Sequence, residues 1–303
     1  MNALRGLIRI YYSTGGSPCQ CREFDTLTAV PEITLPNGVR LHWREAGHPA
    51  KPPVVWIHGG SVEDSSSMVA DLEPFGARIR ALFPDTRGHG LSARFERVED
   101  YTYPKKAEDV LLWLDALGIG RAVFGGASMG GALSLWLAAH LPERVRAVVS
   151  ISGPPYAPPP EDIAWWRRHR PLVEAGRFEE YYDANVRLRV GDEALARLKA
   201  RPDRYVEVLG TLRLHSVASL LALLDETYAR TEWLADCARI RCPVLIVSGS
   251  ADHFPTVAMS RRVAETIPGA RLHVVEGGSH FPNRSHRAEV QGVVGTFLAE
   301  IGV

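Results

Sequence analysis

Apolar and polar positions along the chain fall into two rhythms. Ile33-Thr34-Leu35 and Val39-Arg40-Leu41-His42-Trp43 alternate on either side of Pro36-Asn37-Gly38, which predicts a hairpin closed by an Asn-Gly turn. Val54-Val55-Trp56-Ile57 is apolar without alternation, the pattern of a strand covered on both faces. Helical and strand patterns then take turns. A helix is expected over 66–78 and a strand over 80–84. Val110, Leu111, Leu114 and Leu117 recur at helical spacing within 104–117, and a strand follows at Ala122-Val123-Phe124. Next come a helix over 128–140, a strand over 145–151, a strand over 244–247, a helix over 257–267, a strand over 272–275 and a closing helix over 287–301. Strand-helix alternation with short linkers implies right-handed crossovers. The predicted fold class is α/β: a mostly parallel sheet of eight strands, helices on both faces, and the opening hairpin as its antiparallel edge.

One stretch breaks this order. Between Pro154 and Ile240 no buried strand pattern appears, and Val217, Leu220, Leu221 and Leu224 repeat at helical spacing. The segment opens on a proline cluster and carries Trp165, Trp166, Tyr181, Tyr182 and Trp233. It reads as a helical cap over 154–240 inserted into a core formed by 31–153 and 241–303. Residues 1–30 lack a clear pattern and read as a leader arm, loosely packed or without fixed structure.

Composition narrows the function classes. Of the 303 residues, 46% are hydrophobic and 23% charged, ordinary globular values. Lys plus Arg and Asp plus Glu both number 35, so no electrostatic footprint for nucleic acid or an anionic membrane arises. The expected partner is a small molecule that is not a polyanion; oligomeric state is left open. No apolar run approaches the roughly 18 residues needed to cross a bilayer. Arg9 interrupts the only stretch resembling the core of a signal peptide, so a cytoplasmic location is expected. Cys19, Cys21, Cys237 and Cys242 lack metal-ligand spacing and read as free thiols, with no metal site.

The chemistry concentrates in Phe124-Gly125-Gly126-Ala127-Ser128-Met129-Gly130-Gly131. Gly126-x-Ser128-x-Gly130 directly follows a predicted strand and directly precedes a helical pattern. A serine on so sharp a turn has its hydroxyl exposed, and its neighbours must be small where helix and strand pack closely. The helix amino terminus favours negative charge developing beside the serine. Ser128 is therefore read as a nucleophile; the alternative is a tight glycine turn with a bystander serine.

On these residues the chain resembles the α/β-hydrolase family over roughly residues 31–303, on its serine-nucleophile, esterase and enol-lactonase-like branch. The resemblance implies an acid after a late strand, where Ser250-Ala251-Asp252-His253 stands, and a histidine after the last, where Gly277-Gly278-Ser279-His280 stands. Asp252 and His280 take those roles, with His253 the alternative base. Asp252 could instead cap the next helix. The loop after an early strand, His58-Gly59-Gly60-Ser61, resembles the family's oxyanion loop. It implies backbone donors at Gly60 and Met129, with Ser61 assisting. Asp85-Thr86-Arg87-Gly88-His89-Gly90-Leu91-Ser92 resembles a structural loop of the family in which Arg87 pairs with a carboxylate. Relatives that open epoxides or displace halides carry aspartate at the elbow, and prolyl iminopeptidase relatives carry proline where Ser61 stands. The implied activity is hydrolysis of a small or medium, largely apolar ester or lactone through an acyl-enzyme, with no cofactor. Trp165, Trp166, Tyr181 and Tyr182 are expected to line the pocket. Carbon–carbon bond hydrolysis, a tailoring cyclase or lyase on the same triad, and a non-catalytic ligand binder are the rival readings.

Overall fold

The computed structural model describes residues 31–60 and 63–303. The leader arm, Cys19, Cys21 and Ser61 lie outside the described residues. The strands are β1 (Glu32–Thr34), β2 (Arg40–Gly47), β3 (Pro53–Ile57), β4 (Arg80–Asp85), β5 (Ala122–Ala127), β6 (Val145–Ile151), β7 (Val244–Gly249) and β8 (Arg271–Val275). They form one sheet in the order β1-β2-β4-β3-β5-β6-β7-β8. The pairs β1/β2 and β2/β4 are antiparallel and all the others parallel. The carboxyl ends of β3 to β8 therefore share one edge, where open α/β sheets place their sites.

The helices are α1 (Val69–Leu72), α2 (Tyr103–Ala116), α3 (Met129–His140), α4 (Pro160–Glu174), α5 (Phe178–Val190), α6 (Asp192–Lys199), α7 (Pro202–Leu212), α8 (Val217–Ala229), α9 (Val257–Thr266), α10 (Pro282–Ser285) and α11 (Arg287–Glu300). Successive side chains of a strand point to opposite faces. Val55 and Ile57 accordingly pack with Trp113 of α2, Leu133 of α3 and Val263 of α9. Val54 and Trp56 pack on the other face with Leu72 of α1 and Val294 and Phe297 of α11. Covering both faces explains why β3 and β5 read as unbroken apolar runs. None of the described helices is long and apolar enough to cross a membrane.

The expected helix over 66–78 is instead a broken ramp: a 3₁₀ turn over Ser65–Met68, the single turn α1, and a second 3₁₀ turn over Glu73–Phe75. Pro74 removes an N–H where a continuing α-helix needs one, and the chain tightens into 3₁₀ geometry.

The turn between β5 and α3 is set by close approach. Gly126 has φ +149°, and a Cβ there would stand 1.9 Å from the Ile57 carbonyl oxygen. A Cβ on Gly130 would stand 2.1 Å from the same oxygen. Gly126→Ala is expected to lower stability by about 3 kcal/mol or more, combining backbone strain with a clash against a carbonyl that cannot retreat from the sheet. Urea unfolding of the variant reads this as a lowered midpoint; an unchanged midpoint would show that β3 and α3 can separate without cost.

Candidate active site

Each chemistry-bearing side chain sits just beyond a strand on the shared edge. Ser128 follows β5 with φ 52° and ψ −115° and immediately precedes α3. Its N–H donates to the Ile151 carbonyl at 2.8 Å, fixing the turn against β6. The loops after β7 and β8 are stitched together: Ser250 N–H donates to Val275 O and Ala251 N–H to Gly278 O, both at 2.9 Å. That pairing carries Asp252 and His280 into reach of one another.

His280 Nδ1 lies 2.9 Å from Asp252 Oδ2, and Nε2 lies 3.0 Å from Ser128 Oγ. Asp252 Oδ1 accepts the Phe254 N–H at 3.1 Å. Both Asp252 and His280 are buried, whereas Ser128 is partly exposed to the cavity. An ionised carboxylate only accepts, so Nδ1 carries the proton and donates it to Asp252. The Nε2 lone pair then faces the Ser128 hydroxyl. The arrangement can take a proton from Oγ as Oγ forms a bond, and return it to a leaving group.

Beside Oγ, Gly60 and Met129 are neighbours: a Cβ on Gly60 would stand 3.6 Å from the Met129 Cβ, and both line the cavity. Met129 opens α3, so its N–H is one of the four at a helix start with no intrahelical acceptor. The Gly59-Gly60 segment is anchored by His58, which is wholly buried. His58 Nε2 accepts the Thr86 N–H at 3.1 Å, so Nδ1 is the protonated nitrogen and donates to Gly59 O at 2.6 Å.

The loop after β4 is structural. Arg87 Nε and Nη2 donate to the two Asp109 carboxylate oxygens, each at 2.7 Å, and Nη1 to Asp100 O at 2.8 Å. Both side chains of the pair are buried. Asp109→Ala leaves the Arg87 charge uncompensated and is expected to cost about 3–5 kcal/mol of stability. Chemical denaturation measures it, and a loss under about 1 kcal/mol would contradict a desolvated pair. Asp85 accepts from Ser65 N–H at 2.7 Å and lies 2.6 Å from His42 Nδ1. Burial alone would raise its carboxyl, but these bonds and the facing His42 and His58 hold it below its ordinary value.

The five helices α4–α8 run between β6 and β7, with no strand among the described residues there. Together with the sheet edge they enclose a cavity of about 490 Å³ over Ser128 and His280. Of the four aromatics expected to line it, only Tyr182 does. Trp165, Trp166 and Tyr181 are placed elsewhere. Trp166 stacks on Tyr228 at 5.4 Å and donates to Asp225 at 2.9 Å; Tyr181 lies 5.9 Å from Trp166 and is wholly buried; Trp165 stacks on His169 at 4.2 Å. α4, α5 and α8 must cover one another's apolar faces, and the large rings serve that packing.

Other lining residues were not anticipated: Tyr103, Tyr156, Arg189, Arg230, Phe254 and Arg284. Arginines near helix ends read in sequence as solvated positions, and no spacing signal marks these as turned inward. Arg284 is paired with Glu63 and lies 4.5 Å over the Phe281 ring. Arg189 pairs with Asp162 at 3.0 Å. His253, the alternative base, lies 3.4 Å from Asp162 rather than near Ser128. Cys237 and Cys242 are free thiols, pushed up to about 12 and about 11 by burial. Among the described residues, no group of three His, Cys, Asp or Glu side chains is placed to hold a metal ion.

A serine on a strand-to-helix elbow, a histidine after the last strand and a helical insertion above them define a class, and the chain belongs to the alpha/beta hydrolase family, whose model matches residues 54–291. It is 30% identical over 260 residues to 3-oxoadipate enol-lactonase 2 of Acinetobacter baylyi, covering 86% of this chain and 90% of that protein. It is 28% identical over 316 residues to epoxide hydrolase A of Mycobacterium tuberculosis, covering 86% and 95%. The crystal structure of the enol-lactonase from Burkholderia xenovorans LB400 superposes with a TM-score of 0.77 at 26% identity, covering 89% of this chain and all of that one.

Proposed function

We propose that the protein is a serine hydrolase that cleaves a small or medium carboxylic ester or lactone through an acyl-enzyme. The observation that carries this reading is the unbroken hydrogen-bonded relay Asp252–His280–Ser128 at the floor of the cavity. Ser128 Oγ attacks the carbonyl carbon while His280 Nε2 takes its proton. Gly60 and Met129 N–H groups receive the oxyanion, a contribution of about 3 kcal/mol per donor. The tetrahedral intermediate collapses, and His280 protonates the departing alkoxide. Water, deprotonated by His280, then releases the acid and restores Oγ–H. Asp252 holds the tautomer and stabilises the imidazolium.

Serine at the elbow supports acyl transfer over epoxide opening, despite the likeness to an epoxide hydrolase. A seryl alkyl ether from epoxide attack has no carbonyl through which water could release it, whereas an acyl-serine has one. The cavity's aromatic and proline walls, including Tyr156, Phe254 and Phe281, suit an apolar acyl or alcohol part. The test is turnover of p-nitrophenyl esters, lactones and a vinylogous diketone side by side. Ester or lactone turnover is expected; diketone cleavage alone would replace acyl transfer with carbon–carbon hydrolysis.

A further inference from the structure

The arginines of the cavity differ in how their charge is matched. Arg189 faces Asp162 at 3.0 Å, Arg284 faces Glu63, and Arg197 at the rim faces Glu193 at 3.5 Å. His253 also reaches Asp162, but it faces solvent, which screens it. Arg230 is different. Its carboxylate partner, Glu226 at 2.7 Å, is shared with Lys106, whose Nζ lies 3.8 Å away and whose side chain is wholly buried. Two basic side chains thus share one carboxylate.

The hydrogen bonds point the same way. Arg230 Nε and Nη2 donate to Glu226, and Nη1 donates to Tyr103 Oη at 3.2 Å. A guanidinium has five N–H donors, so two find no acceptor among the described residues. Tyr103 Oη accepts from Arg230, which leaves its own O–H free to donate. Burial raises the Tyr103 hydroxyl, so it stays protonated and a donor. Arg230 and Tyr103 both line the cavity that holds Ser128, and the guanidinium lies 4.7 Å over the Tyr103 ring, which fixes its plane.

We propose that Arg230 and Tyr103 form an anion subsite, and that the substrate is an ester or lactone bearing a separate carboxylate that binds there. The proposal rests on the hydrolase reading above for the reacting end, and on the Arg230 corner for the other end. The carboxylate takes the unpartnered guanidinium N–H groups and the Tyr103 O–H. Burial pushes Lys106 down to about 7 against the pull of Glu226; a second anion nearby favours its charged form.

The test is calorimetric titration of full-length Ser128→Ala protein with monomethyl adipate and dimethyl adipate, which differ by one negative charge. The monoester is expected to bind about tenfold more tightly or better, the range of a charge-assisted pair to arginine. Adding Arg230→Gln should bring the two affinities within about threefold, and adding Tyr103→Phe should shrink the ratio while leaving the Arg230–Glu226 pair in place. Equal affinities for the two esters, no measurable binding of the monoester, or a ratio that survives Arg230→Gln in a folded protein would overturn the subsite. Wild-type turnover of dimethyl adipate reads the hydrolytic centre separately: turnover without monoester preference sinks only the subsite, and preference without turnover sinks only the hydrolase reading.

Discussion

Ser128→Ala protein is expected to lose ester turnover by about 10⁴- to 10⁶-fold while keeping its fold. The substitution removes one oxygen, the atom 3.0 Å from His280 Nε2. It leaves the backbone at φ 52°, where alanine and serine carry the same steric cost, and leaves the Ser128 N–H bond to Ile151 untouched. Stability should therefore shift by no more than about 1 kcal/mol. The residual rate measures what the oxyanion donors and the cavity achieve without a nucleophile. The check is kcat/KM on a p-nitrophenyl ester beside a thermal unfolding curve. A variant that unfolds at the wild-type temperature yet keeps more than about a tenth of the activity places the nucleophile elsewhere.

Asp252→Asn should cost about 10⁴-fold in kcat, with little effect on KM. The reason lies in two acceptors. Asp252 Oδ1 accepts the Phe254 N–H, and Oδ2 accepts from His280 Nδ1. An amide has one oxygen. If that oxygen keeps the Phe254 bond, the NH₂ group faces Nδ1 and drives the imidazole into the tautomer with its proton on Nε2. Nε2 then points a donor, not a lone pair, at Ser128 Oγ. The loss is in the chemical step because no contact to the ground-state ester changes. Measured kcat within tenfold of wild type would remove Asp252 from the relay.

The parallel sheet and the serine elbow were legible because both are written in local pattern. β3, β5, β6 and β7 are buried on both faces, so their apolar runs are unambiguous, and the small residues around Ser128 are dictated by the 1.9 Å and 2.1 Å approaches at Gly126 and Gly130. Asp252 and His280 follow strands whose ends share one edge, at the places the resemblance to the family implied. The cavity wall was not legible. Trp165, Trp166 and Tyr181 are as aromatic as Tyr182, and only the mutual packing of α4, α5 and α8 decides which ring turns inward. Arg230 was missed for a related reason. It lies just past α8, a position that reads as solvated, and it points inward only because Glu226 and Tyr103 receive it. The helix expected over 66–78 is broken into short turns, and Pro74, a breaker within the stretch, marks the start of the second 3₁₀ turn.

The most direct measurement is intact-protein and peptide mass spectrometry after a fluorophosphonate probe. The probe phosphonylates a serine only where a neighbouring base activates it. Wild type is expected to gain one adduct, on the peptide containing Ser128, and Ser128→Ala protein none. An adduct on another residue, equal labelling of both proteins, or no labelling of a folded wild type would contradict an activated serine at this elbow.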